Sequence, residues 1–326
     1  MPSPANHNEL DPGVFTSRLK LKHLILLRNV AELQTLRKGA AASNMTQPAA
    51  TKLIQELEAL FGVALFHRDR QGMTLTLYGE RVRQHVDILL TDIDRLREGV
   101  DMLAQGITGQ IRVGVVPSIA PALLTQSIVR ILQERPKVRF IIQEASTTAL
   151  LASMHRNELD LILGRVLDAD QAQGMKVTHV YAEAFTIVCA KQHVLSQRKN
   201  PSWTQMAQFR WVLPPSGTPM RQMVDNIFTQ NLAIRPEAAV ESSSFGQMRD
   251  LIGHSNLLGI VPRSIAAQPQ SREILDVLKN DVGTHFTPIS LIYRSDIDQP
   301  PLIDIFADTV SETAAAMGLG TGRGAQ

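Results

Sequence analysis

One cysteine, Cys189, stands among the 326 residues. That excludes an internal disulfide and a redox switch built from two cysteines of one chain. Set in the apolar run around Val188 and Ala190, Cys189 reads as a buried, inert thiol of a reducing compartment. No apolar stretch approaches the roughly 18 residues that a membrane span needs. The opening MPSPANHNELDPG lacks the basic-then-apolar order of a signal peptide. A cytoplasmic protein with no membrane partner is expected. Catalytic signatures are missing as well. The nine histidines form no HxxxH or HxH pair to hold a metal. No GxSxG, P-loop or GxGxxG falls where a strand would meet a helix. GLGTG at 318–322 follows a helix and is no phosphate loop. The expectation is a protein that is not an enzyme, with no cofactor and no metal.

What is present is an uneven charge. Residues 15 to 83 hold 11 Lys/Arg against 5 Asp/Glu, whereas residues 84 to 326 hold 22 against 24. A basic module on a near-neutral body is the footprint of a head that binds a polyanion. A solvated basic surface would show the same balance. The length calls for two or three domains.

The basic module is organised around residues 35 to 62. A short helical segment, Leu36 to Ser43, breaks at Asn44-Met45, and a second begins at Thr46. Thr46 can cap that second helix through its hydroxyl, and Pro48 sits in the first turn, where a missing N–H costs little. Ala50, Leu53, Leu57 and Leu60 form a buried stripe at helical spacing. Gln47, Pro48, Thr51, Lys52 and Gln55 fall on the other face. Two helices with a tight break and a Gln/Thr/Lys face suit a helix-turn-helix whose second helix enters a DNA groove. An ordinary helical hairpin has the same local pattern. A helix over 18–34 precedes this element, and residues 1–17 read as a polar, disordered tail.

Residues 63–76 read as a hairpin turning at Arg70-Gln71-Gly72, with Gly72 supplying a positive φ. His67, Arg68 and Arg70 make it basic, as a wing reaching phosphates or a minor groove would be. Next, Val82, Val86, Leu89, Ile93, Leu96, Val100 and Leu103 recur in steps of four and three. That a/d seam predicts a long helix that dimerises, over a linker of 79–106; an amphipathic helix packed on its own domain is the other reading.

From residue 110 the pattern becomes alternating strands and helices, implying parallel sheets with helices on both faces. Strands are predicted at 110–117, 138–146, 159–164, 177–190, 209–214, 238–242, 257–262 and 289–294. Four predicted strand-to-helix junctions carry hydroxyls: Ser118; Ser146, Thr147 and Thr148; Ser216 and Thr218; Ser242, Ser243 and Ser244. Helix capping explains each alone. Together they suit a cleft that holds a small anion on helix amides and hydroxyls, with Arg165 as a cation; a surface ion pair is the plainer role for Arg165.

Read as a whole, residues 18 to 317 resemble a LysR-type transcriptional regulator. The likeness is densest at TQPAATKLIQELEALFGVALFHRDRQGMTLTLYGE, residues 46–80. That stretch is similar to the family's Ser-Gln-Pro-Ala, Leu-Glu pair, Gly-Val-x-Leu-Phe-x-Arg and Leu-Thr-x-x-Gly. Thr46 replaces the usual Ser, Gly39-Ala40 stands where Ala-Ala is typical, and Ser43 where Leu is typical. The last two departures are expected to weaken local packing.

The resemblance implies an α/β protein with an N-terminal winged helix-turn-helix (18–78), a dimerising linker helix and a two-subdomain effector domain (107–318). That domain is of the periplasmic binding protein type II kind. Subdomain I would be 107–164 with 296–318, subdomain II 165–295, and 319–326 a flexible tail. It implies a homo-oligomer, a dimer of dimers, with double-stranded DNA, a small-molecule effector and RNA polymerase as partners. Gln47, Pro48, Thr51 and Lys52 match the DNA-facing start of the recognition helix. Arg37 matches a backbone-contacting position, and Arg68 and Arg70 match the wing. Ser118, Thr147, Ser216 and Phe245 fall near effector-lining positions. The expected effector is a carboxylate or similar anion. A small-molecule binding protein of the transport type is the alternative that residues 110–317 alone would permit.

Overall fold

The computed structural model describes residues 12–68, 72–104, 108–166, 173–198, 200–232, 236–280, 282, 287–295 and 300–319. The chain divides into two units, the first made of residues 1–105 with 155–157 and the second of the remainder. The first unit runs α1 (Pro12–Arg18), α2 (Leu21–Leu33), α3 (Leu36–Ala42), α4 (Gln47–Phe61), β1 (Phe66–Arg68), β2 (Met73–Leu75) and α5 (Leu77–Ala104). Residues 12–17, expected within a disordered tail, are helical and run on to Arg18. Pro12 fits a first helical position, and the ring of Phe15 meets Phe61 of α4 edge-on at 5.2 Å.

Local chemistry sets the turns. Thr35 caps α3, its hydroxyl accepting from the Lys38 amide. Asn44, at φ 53, makes the break before α4, in a left-handed conformation that Asn tolerates. Thr46 is the N-cap of α4 as expected, but its hydroxyl accepts no capping hydrogen bond. Pro48, in the first turn, has no N–H to give. Leu26, Leu27, Val30, Ile54, Leu57 and Leu65 close the core at 0–1% exposure, each contributing roughly 1.5–3 kcal/mol by burial.

Both departures at α3 fit this packing rather than weaken it. A Cβ on Gly39 would collide with Cγ2 of Val30 and come within 2.9 Å of its Cα, so α2 and α3 approach more closely than Ala would allow. The Ser43 hydroxyl donates to the Gly39 carbonyl at 2.8 Å and accepts from Asn29 of α2 at 3.0 Å. The wing pairs Phe66 with Leu75 and Arg68 with Met73. Gly72 has φ 152 and lies against the Gln34 carbonyl, which also accepts from the Met73 amide. Arg70 lies outside the described residues.

The second unit contains β3 (Gly109–Val115), α6 (Pro121–Glu134), β4 (Val138–Glu144), α7 (Thr147–His155), β5 (Leu161–Gly164), β6 (Met175–Tyr181) and β7 (Phe185–Ala190). It continues with α8 (Trp203–Met206), β8 (Trp211–Leu213), α9 (Pro219–Leu232), β9 (Ala238–Glu241), α10 (Phe245–Gly253) and β10 (Leu258–Pro262). α11 (Arg263–Ala266), α12 (Pro269–Ile274), β11 (Leu275–Leu278), β12 (Ile289–Arg294) and α13 (Pro301–Ala316) complete it. One sheet has the order β4-β3-β5-β12-β6 and the other β11-β7-β10-β8-β9. β3 is parallel to β4 and β5, and β8 is parallel to β9 and β10. Each sheet has its own apolar core. The first centres on Ile111, Leu123, Leu150 and Phe306, the second on Trp211, Phe228 and Ile260.

The boundary between the two halves differs from the sequence expectation. Residues 177–190 are not one strand: β6 belongs to the first sheet and β7 to the second. The chain crosses at Ala182-Glu183-Ala184, not at Gly164-Arg165, and β12 returns to the first sheet. Tyr181 and Phe185 are 1% and 3% exposed, so apolar alternation runs through the crossing and hides the change of sheet. The crossing is pinned to the start of α11. The Glu183 carboxylate accepts from the Ser264 amide at 3.1 Å, and the Ala184 carbonyl accepts from Arg263 at 2.7 Å.

Candidate nucleic-acid interface and effector cavity

The start of α4 leaves Thr46, Gln47, Pro48 and Lys52 exposed, with no acid in its first turn. Thr51 is half-buried, and its hydroxyl donates to the Gln47 carbonyl at 3.0 Å. The Lys52 ammonium lies 3.9 Å from Glu56. Arg37 is exposed on α3. Arg68 of β1 stands 3.5 Å from Glu58 of α4, whose other oxygen accepts from the Leu65 and Phe66 amides at 2.9 and 3.2 Å. Glu58 therefore fixes the wing strand to α4. Three exposed cations and the positive end of a helix are the groups that position a phosphate backbone.

The apolar seam of α5 divides in two. Val86 is 2% exposed and packs, with Val82 and Leu90, into the core of its own unit. Val86 thus serves the core of this domain, and Val82 is partly buried against it. Leu89, Ile93, Leu96 and Val100 are 47%, 42%, 70% and 60% exposed. The side chain of Leu103 lies outside the described residues.

In the second unit, strands β3, β4 and β5 of one sheet and β8 and β9 of the other end around one cavity of about 500 Å³. Ser118, Thr147, Thr148 and Arg165 line it from the first sheet, and Thr218, Ser243 and Phe245 from the second. Arg165 is 7% exposed. It donates to the Ser118 hydroxyl at 3.4 Å and lies over the Phe185 ring at 5.7 Å. Burial pulls its pKa down to about 10, with Tyr181 and Glu183 acting the other way, so it stays a cation at neutral pH. The hydroxyls divide by role. Ser146 accepts from the Ala149 amide, Thr218 from Arg221 and Ser244 from Gln247, capping α7, α9 and α10. Thr147, Thr148 and Ser243 line the cavity, and among the described residues their hydroxyls cap no helix. A buried cation with helix N-termini and uncommitted hydroxyls around it can hold a carboxylate.

Residues 21–80 match the family described as "Bacterial regulatory helix-turn-helix protein, lysR family", and residues 104–315 match the LysR substrate binding domain. The chain belongs to the LysR family of transcriptional regulators. It is 29% identical over 285 residues to the uncharacterized HTH-type transcriptional regulator YdcI of Escherichia coli, covering 87% of this chain and 92% of that one. To the HTH-type transcriptional regulator PcaQ of Agrobacterium fabrum it is 24% identical, covering 92% and 96%. The crystal structure of CbnR, a LysR family transcriptional regulator, superimposes with a TM-score of 0.62 at 20% identity, covering 91% of this chain and 99% of that one. Among the described residues no helix is long and apolar enough to cross a membrane.

Of the junction hydroxyls anticipated in this LysR-family chain, Ser244, which caps α10, and Ser216 do not line the cavity. Ser216 is exposed, and its hydroxyl and amide both donate to Glu241, at 2.7 and 3.1 Å. Those bonds and Arg221 hold the Glu241 carboxylate down to about 2. Arg165 is a cavity residue at the end of β5 rather than at the crossing between sheets. Sequence reasoning missed Met220 and Met223 of α9, Pro214 and Thr287. The methionines carried a signal, since they lie one helical turn apart just after the Pro-Ser-Gly-Thr junction. Cys189 is fully buried, and burial pushes its thiol up to about 12, away from reactivity.

Proposed function

We propose that the protein is a ligand-responsive DNA-binding regulator that reads an inverted-repeat promoter site. Gln47, Pro48, Thr51 and Lys52 present the base-reading face, Thr46 opens it, and Arg37, Arg68 and Arg70 hold phosphates. The observation that carries this reading is the start of α4, which offers Gln47, Pro48 and Lys52 to solvent with no acid in its first turn. A solved LysR neighbour, full-length CbnR with its target DNA, has a TM-score of 0.63 at 20% identity, covering 91% of this chain and all of that one. Leu89, Ile93, Leu96 and Val100, with Leu103, pair two copies, and two such dimers associate. Each dimer places its two recognition helices in successive major grooves.

The effector is a small organic anion, held by Arg165, Ser118, Thr147, Thr148, Ser243 and Phe245. Its binding shifts the angle between the two halves of the effector domain, and through the dimer the bend imposed on DNA. Promoter output changes through RNA polymerase contacts rather than through simple occupancy. The test is retardation of the gene's own upstream intergenic DNA by the purified protein at low salt. A failure to retard it there overturns the assignment. Added anion should alter complex mobility or bending more than the fraction bound.

A further inference from the structure

The cavity is chemically divided. Its first-sheet side presents Ser118, Thr147, Thr148 and the buried Arg165 guanidinium. Its second-sheet side presents Pro214, Pro215, Met220, Met223 and Phe245, beside the Thr218 and Ser242 hydroxyls, which donate to Pro215 and Gln247, and the Ser243 hydroxyl. Met220 and Met223 lie three residues apart on α9, on one face of that helix. The two sides make opposite demands. A buried guanidinium attracts an anion strongly, because the interaction is little screened by water there. Thioethers, proline rings and a phenyl ring give nothing back to a hydroxyl that is stripped of water against them.

Resting on the reading that this cavity binds a small anion, we propose that the ligand is an amphipathic carboxylate. Its carboxylate seats at Arg165 and Ser118, and an unhydroxylated ring or short chain lies against Met220, Met223 and Phe245. A cavity of about 500 Å³ falls at the lower part of the range for small-molecule sites, which suits one ring or a short chain. Polyhydroxy acids are disfavoured where their hydroxyls would lie against Met220, Met223 and Phe245. Methionine side chains adapt their shape, so the site selects for charge at one end and absence of hydroxyls at the other more than for one ring outline. Each methylene buried on the apolar side should add roughly fourfold in affinity. The two ends of such a ligand rest on different sheets, so it holds both halves together.

The experiment is calorimetric titration of the full-length protein with 3-phenylpropanoate, hexanoate, acetate, gluconate and neutral 3-phenylpropanamide. The expected result is binding of the first two, with acetate, gluconate and the amide each weaker by at least tenfold. Arg165→Met should abolish the preference for 3-phenylpropanoate over its amide. Ser118→Ala, which risks the fold less, should shrink that preference severalfold. Met223→Gln, similar in size, should weaken hexanoate about fivefold and leave acetate unchanged. Gluconate binding as tightly as hexanoate, and lost in Arg165→Met, overturns the amphipathic class while the anion reading stands. If no acid binds, or if acid binding survives both Arg165→Met and Ser118→Ala unchanged, the anion reading falls and this proposal with it.

Discussion

The buried imidazole of His23 in α2 lies 3.4 Å from the carboxylate of Glu56 in α4. Its other nitrogen, Nδ1, accepts from the Lys20 amide at 3.1 Å, so the proton sits on Nε2 and is donated to Glu56. The same carboxylate stands beside Lys52, so a core histidine orients an acid next to the proposed base-reading cation. Burial lowers the His23 pKa below 6.5, opposed by Glu56 and reinforced by Lys20 and Lys22. The unfolded chain therefore binds more protons just below the ordinary value. The contribution of His23 to stability is complete above about pH 6.5 and is lost as pH falls through the lower folded value. Amide exchange at Leu26 and Leu27, corrected for intrinsic rates, should quicken between pH 7.5 and 5.5. His23→Gln can keep both hydrogen bonds without titrating and should remove most of that dependence; an unchanged dependence would mean that His23 is not its source.

The contact between α2 and α3 gives a second prediction. Gly39→Ala gains about 1 kcal/mol of helix propensity, but it forces a methyl against the Val30 backbone. Overpacking of that kind costs about 1–3 kcal/mol, so the variant should melt no higher than the parent and should bind DNA less tightly. Ser43→Leu removes the bonds to Gly39 and Asn29 and should cost a further ~1 kcal/mol. A rise in melting temperature for either one would show that α3 has room to move away.

These two residues also show what was legible in the sequence. The helix-turn-helix, wing and long helix were readable, because caps, turns and apolar periodicity are local. Gly39 and Ser43 look like weak points in the sequence, because their reason lies across the interface with Val30 and Asn29. The cavity was half legible for the same cause. Hydroxyls at the junctions after β3, β4, β8 and β9 pointed to it, but which of them are caps depends on the direction of each side chain. Ser216 turned to Glu241 and Ser146 to its own helix, while Thr147 did not. The crossing at Glu183 was invisible, because alternation reports burial and not which sheet does the burying.

Glu183 supplies a third prediction. It is 5% exposed, and burial raises its pKa above 4.5, against the pull of the Ser264 bonds, Tyr181 and Arg165. For an acid whose folded pKa is raised, the folded state binds the extra proton, so ionisation at higher pH costs stability. Glu183→Gln keeps an oxygen for the Ser264 amide and removes the charge. Its stability relative to the parent should therefore climb as pH rises above 4.5, followed by denaturant unfolding through Trp211 fluorescence. A flat difference between pH 5 and 8 would contradict the raised value.

The proposed DNA interface separates two kinds of cation. Lys52 projects from the recognition helix, with 79% of its side chain exposed. Arg37 and Arg68 flank it on α3 and the wing strand. If Lys52 reads a base, Lys52→Ala should cost roughly 1–3 kcal/mol on the preferred operator and much less on an operator changed at that one base pair. If Arg37 holds a phosphate, Arg37→Ala should weaken binding to both operators equally and reduce the slope of log K against log salt by about 0.9. Arg68→Ala should lower that slope too, and it also frees Glu58, which keeps its bonds to Leu65 and Phe66 and so holds the wing in place. Fluorescence anisotropy with both operators at four salt concentrations separates the cases. A Lys52→Ala variant that changed the salt slope and left the operator preference intact would move Lys52 from the bases to the backbone.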